Sequence, residues 1–349
     1  MTMRKVGKVL AWSGGLLVAG LAVAAMWFWF TPVGLNNYVN KITLQLTLDS
    51  PQILTQLGFI DNTPFDFHSG KLDDQTKAHE DEALARLRQA RAGLDKYGPD
   101  GLAGQELITW KTTAWFLDDL IRQGEFEHGG YRVNQISGVT VSTPQFLTDA
   151  HVIKNERSVE RYLSRLAEFG RVLRETQVRV EDDRAAGVIP PDFVIDQSLV
   201  GMRAFIADGA AKNPLVTTLP AKLEKIESLT PGERQAYVRR AEELVASEVI
   251  PGYQAMIALF EDMRPQASHD AGIWRIPDGD RIYAAALQSS TTTSLSADEI
   301  HALGLSEVER IEREMLAILD AQGIQGTTLA GRIEQLNTAP AQNFSNSDA

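Results

Sequence analysis

Between Ser158 and Ala186 the apolar residues Tyr162, Leu166, Phe169, Val172 and Leu173 recur three or four positions apart, and Gly187 closes the run. That spacing lines one face of an α-helix; a strand would alternate every second residue. The same period returns along most of the chain. Ala83, Leu84, Leu87, Ala90 and Leu94 mark a helix within 73–97, ended by Gly98-Pro99, and Leu107, Trp110, Ala114, Leu117 and Ile121 mark another over 104–123. Ser50-Pro51 is an N-cap followed by proline at the first helical position, opening a short helix to Leu57. Further helices are predicted over 192–207, 234–263, 296–322 and 328–337, the second of these interrupted at Pro251-Gly252 by a kink or a division into two consecutive helices. Residues 59–70 form a turn-rich connector, and 124–143 a glycine-rich loop with room for one strand near Tyr131-Arg132-Val133. Only Arg281–Gln288 reads as a defined strand, so the expected fold class is mainly α.

The N-terminus carries a different signal. Arg4, Lys5 and Lys8 precede an uncharged apolar run from Val9 to Thr31. About 23 residues at 1.5 Å each reach roughly 34 Å, enough for the hydrocarbon core of a bilayer. The run ends in Trp27-Phe28-Trp29-Phe30, side chains suited to the membrane–water interface, and Pro32 stops it. The expectation is a single-pass transmembrane anchor with its N-terminus in the cytoplasm and the main domain on the periplasmic or extracytoplasmic side of an inner membrane, making the lipid bilayer one partner. Ala22-Val23-Ala24 supports a competing reading, a cleaved signal peptide. Either exports the remainder. The expected organisation is 1–32 tip and anchor, 33–70 connector, and 71–349 helical domain.

Composition narrows the chemistry. Hydrophobic residues at 44% and charged residues at 23% are ordinary for a globular chain. The formal net charge of -12 repels phosphate backbones, so no nucleic-acid partner is expected. The chain has no cysteine, which excludes disulfides, thiolate metal sites and a cysteine nucleophile. No H-E-x-x-H occurs; the nearest run, His79-Glu80-Asp81-Glu82-Ala83, lacks the second histidine one turn later that would share a zinc ion. The six histidines are scattered singly. There is no G-x-S-x-G elbow, Walker A loop or G-x-G-x-x-G, and Asp278-Gly279-Asp280 reads as a turn. No catalytic residue and no metal ligand are assigned.

One stretch combines several local signals in order. Pro277-Asp278-Gly279 turns the chain into Arg281–Gln288; Thr291-Thr292-Thr293 follows; Ser296-Ala297-Asp298-Glu299 then forms a capping box for a helix expected to bury Ile300, Leu303, Leu305, Val308, Ile311 and Met315. On the residues alone this unit fills a core or frames a site. Its segments Gly272 to Pro277, Tyr283, Thr291 to Thr293, Glu299-Ile300-His301, Leu303-Gly304 and Val308 to Met315 resemble the bacterial domain-of-unknown-function 885 family, whose members resemble gluzincin metallopeptidases. Agreement extends to Tyr162-Leu163-x-Arg165-Leu166 and the step from Gly187 to Pro191, and aligns residues 50–349 with the N-terminal half or more of such a domain.

The resemblance implies a gluzincin-like helical domain fragment in which Arg281–Gln288 is a short edge strand beside a cleft. Tyr283, Ala285, Thr291, Thr292 and Thr293 would then bind an extended peptide by main-chain pairing. It also implies a zinc helix and a later glutamate downstream, neither of which occurs in these 349 residues, and Gln288-Ser289-Ser290 stands where the family pattern has a histidine-containing approach to the threonines. Zinc is therefore expected only with a downstream half. The chain as given reads as the catalytically silent N-terminal part of a zinc-metallopeptidase-like protein, completed by further polypeptide or by a second chain; the alternative is a non-catalytic peptide-binding or scaffold module.

Overall fold

The computed structural model describes Gly20 and residues 32–339. Among the described residues every regular element is a helix. In chain order these are α1 (Leu35–Leu48), α2 (Pro51–Leu57), α3 (Lys77–Leu94), α4 (Gly104–Gly124), α5 (Val139–Gln145), α6 (Glu156–Ala185), α7 (Asp192–Ile206), α8 (Pro214–Thr217), α9 (Leu219–Leu223), α10 (Pro231–Leu244), α11 (Ile250–Met263), α12 (Gly279–Thr291), α13 (Ala297–Ala321) and α14 (Leu329–Thr338). The chain divides into two compact units between Ile282 and Tyr283.

The first unit is organised around α6. Asn155 and Ser158 exchange side-chain and backbone bonds in a capping box, and the predicted face of Tyr162, Leu166, Phe169, Val172 and Leu173 is buried. Against it pack Val249, Tyr253, Met256 and Phe260 of the α10–α11 arm, with Leu215, Leu219 and Leu223 closing one end of the same core. A smaller core joins α1, α3 and α4 through Leu35, Ile42, Leu94, Ala114 and Leu117. The interruption expected at Pro251 is present as two consecutive helices. A wide turn, Val245–Val249, separates α10 from α11, with Ile250 N donating to Val245 O five residues back, which makes room for the proline ring. Gly252 follows because a β-carbon there would sit 2.6 Å from Leu173 Cδ1 across the α6–α11 contact.

Two expectations are corrected. Arg281–Gln288 is not a strand; it lies within α12, whose start is marked by Asp278 in the left-handed region (φ 57) and by Ile282 N donating to Asp278 O at 2.9 Å. Ala284-Ala285-Ala286-Leu287 are among the strongest helix formers, and in so short an apolar run the two periods cannot be told apart. Nor is 124–143 a strand; it is turns leading into α5. The expected transmembrane helix gains no support either. No helix among the described residues is long and apolar enough to cross a membrane, and Val9–Thr31 lies outside them apart from Gly20. Among the described residues the fold class is mainly α, with neither the edge strand nor a spanning helix.

In the second unit α13 carries the predicted capping box, Ser296 with Glu299, and α14 packs on it, Arg332 donating to Asp320 and to Ile324 O. The expected buried side of α13 is largely in solvent: Leu303, Leu305, Val308 and Ile311 are each about half exposed, and Leu319 is the one buried residue of the helix. The period correctly defines an apolar stripe; what the sequence could not supply was a partner for it.

Candidate functional site

The residues expected to pair with a peptide are placed as follows. Tyr283 is half exposed and Ala285 buried, two positions apart on a helix and so on different faces. Thr291 ends α12, its hydroxyl donating to Leu287 O (2.7 Å) and lying 3.0 Å from that of Thr293. Thr292 takes a left-handed conformation (φ 55) that β-branched residues rarely adopt, and Thr292 N donates to Gln288 O. Thr291 and Thr293 thus come together in a helix-ending turn, apart from Tyr283 and Ala285. Helical backbone donors bond to the preceding turn, so this segment offers no free edge to an extended peptide.

A different site assembles in the first unit, at a cavity of about 300 Å³ lined mainly by polar side chains. α6 supplies Thr176 and Arg179; the turn before α5 supplies Arg132 and Gly138; α5 supplies Thr143; α2 supplies Gln52; and the extended segment leading into α3 supplies Asp73 and Gln75. Gly138 has φ 92, and a β-carbon there would lie 2.3 Å from Arg132 O, so glycine is required for the turn to close beneath the cavity. Asp73 is fixed by reciprocity. Its two oxygens accept from Ser50 Oγ (2.8 Å) and Gln52 N (3.0 Å), while Asp73 N donates to Gln52 Oε1. Gln75 N donates to Glu175 on α6.

Behind the polar wall lies a network of charges. Arg132 meets Glu80 (2.6 Å) and Asp183 (3.0 Å); Arg179, with only 3% of its side chain exposed, meets Glu80 (3.0 Å), Glu127 (3.3 Å) and Asp182 (3.2 Å). Asp183 also receives His128 Nδ1 at 2.7 Å. Burial pulls the Arg179 guanidinium down, but the attraction of Glu80 and Glu127 outweighs it and holds the pKa above its ordinary value. Arg179 Nε is buried and has no hydrogen-bond partner.

A second buried hub is structural. Arg165 is fully buried and donates to Lys71 O (2.9 Å), Thr55 Oγ1 (2.6 Å) and His151 Nδ1 (2.7 Å), with its guanidinium 4.8 Å from the centre of the Phe146 ring. A guanidinium only donates and a carbonyl only accepts, so His151 is neutral with its proton on Nε2, which donates to Ser158 O (3.1 Å). Burial, then the positive charge of Arg165, push the His151 pKa down to about 3.

Zinc does not fit the donor sets. His68 meets Asp61, His79 approaches Asp49, His128 meets Asp183, His269 meets Asp192, and His151 meets Arg165; among the described residues no three histidine, aspartate or glutamate side chains converge as metal ligands. The cavity residues escaped the sequence reading because positions 52, 73, 132, 143 and 179 share no local motif.

The architecture is that of an all-helical domain with a small polar cavity set on its longest helix. The chain belongs to the family described as bacterial protein of unknown function (DUF885), whose pattern matches residues 51–349. Among solved structures it is similar to one described as "the putative lipoprotein from Colwellia psychrerythraea", with a TM-score of 0.70 and 23% identity over 88% of this chain and 54% of that one. The chain thus spans about half the length of that solved chain, and at this identity the likeness is one of fold. No curated protein matches it.

Proposed function

We propose that this chain is the exported, recognition portion of a zinc-metallopeptidase-like DUF885 protein, silent in catalysis until further polypeptide completes it. The observation that carries the reading is the solvent-facing stripe of Leu303, Val308 and Ile311 on α13, an apolar helix face left about half exposed among the described residues. The family membership and the half-length match to the solved relative support it, and that relative's description as a lipoprotein supports export. The test is to read the coding DNA past codon 349 and express both lengths. An open frame whose product holds one zinc per chain and cleaves peptides, beside a 349-residue chain that does neither, agrees with the reading. An extended product without metal or peptidase activity refutes it.

The second reading, a peptide-binding module without chemistry, is favoured by the polar cavity lined by Gln52, Asp73, Gln75 and Thr143.

A further inference from the structure

The cavity has a charge pattern that none of the foregoing uses. Arg132 and Arg179 line it, yet both are committed to carboxylates. Behind the wall, Glu80, Glu127, Asp182 and Asp183 pair with Arg132, Arg179 and Lys77, while Asp73 feels the charge of the buried Arg165 from the protein side. With both guanidiniums of the wall held by carboxylates, the charged group of the wall left open is Asp73, which favours a cation at that point. Asp73 is the one carboxylate of the wall, and no cation lies within ion-pair distance of it among the described residues. Each of its oxygens accepts one hydrogen bond and can accept a second. Beside it, the side-chain amide of Gln75 and the hydroxyl of Thr143 have no protein partner among the described residues, and Thr143 is otherwise buried.

We propose that this cavity binds the amino terminus of a short peptide, the ammonium pairing with Asp73 while Gln75 and Thr143 hydrogen-bond the first peptide unit. The volume lies at the lower end of small-ligand sites, enough for one or two residues. A polyamine shares the charge but would lay methylene groups on the wall, and Val139 is the only aliphatic side chain there. The inference does not rest on the zinc-peptidase reading, since binding needs neither metal nor turnover.

The experiment is titration calorimetry of the full chain with trialanine, N-acetyl-trialanine, trialanine amide and spermidine. The expected result is one saturable site for trialanine, weakened at least tenfold by acetylation and less than threefold by amidation, with spermidine binding more weakly than trialanine. Asp73→Asn keeps an acceptor for Ser50 or Gln52 and should weaken trialanine at least tenfold without changing the acetylated probe. Should that variant fail to fold, the acetylation comparison on the unaltered chain decides alone. Equal binding of free and acetylated peptide, loss on amidation, tighter binding of spermidine, or no saturable binding of trialanine would each overturn the proposal.

Discussion

Replacing His151 with glutamine should flatten the acid sensitivity of this fold. The imidazole is buried between Arg165 Nη1 and Ser158 O, and its pKa lies at about 3, against 6.5 for the free side chain. Because the folded value lies below the unfolded one, the unfolded chain binds the extra proton between these limits. Stability is full above about pH 6.5 and falls as the pH drops toward 3. Each pH unit crossed costs about 1.4 kcal/mol, so moving from pH 7 to pH 5 removes about 2 kcal/mol through this one group. Glutamine offers an oxygen to Arg165 and an N–H to Ser158 without titrating. The assay is urea unfolding followed by tryptophan fluorescence at the two pH values. The carboxylates contribute equally to both proteins, so the difference in pH dependence isolates the histidine. The variant should lose about 2 kcal/mol less than the parent between pH 7 and pH 5. Equal losses, within about 0.5 kcal/mol, would show that His151 is not held neutral by burial and Arg165.

Two substitutions test the backbone and the core. Thr292→Gly should raise stability by about 1 kcal/mol by relieving the left-handed conformation at the end of α12, read as a higher urea midpoint; an unchanged or lower midpoint counts against that strain. Gly252→Ala, which in an exposed helix would stabilise, should instead cost about 1–2 kcal/mol because the new methyl group meets Leu173, buried and unable to swing aside; a stabilised variant would show that the α6–α11 contact is looser than described.

What the sequence made legible follows from the range of the forces involved. The capping box of Ser296 and Glu299, the cap of Ser50 before Pro51, and the interruption at Pro251 are each written within four or five residues, and each is present. The buried face of α6 was legible because its stripe extends through a long helix. Arg281–Gln288 was misread because an apolar run of so few residues is weak evidence for a strand beside the helix preference of three consecutive alanines, and with the strand went the reason to place a peptide at Tyr283 and Ala285. The cavity was illegible for a different reason. Asp73 and Arg179 gain their meaning from neighbours contributed by separate elements, and nothing in their own sequence surroundings distinguishes them from surface charges.

α6 and α13 have similar amphipathic patterns and are ordered by different means. α6 buries its stripe, and its polar side anchors the Arg165 hub and the Arg179 network, so its position is fixed from several directions. α13 is held mostly by its own sequence: a capping box at its start, and Arg310 paired with Glu307 one turn before and Glu314 one turn after. Such pairs are worth only a few tenths of a kcal/mol each, and a cap about 1. Leaving Leu303, Val308 and Ile311 in water forgoes more than that, since full burial of such a side chain is worth about 1.5–3 kcal/mol. An apolar stripe that local bonds keep helical without covering it is therefore the part of this molecule with the most to gain from a partner.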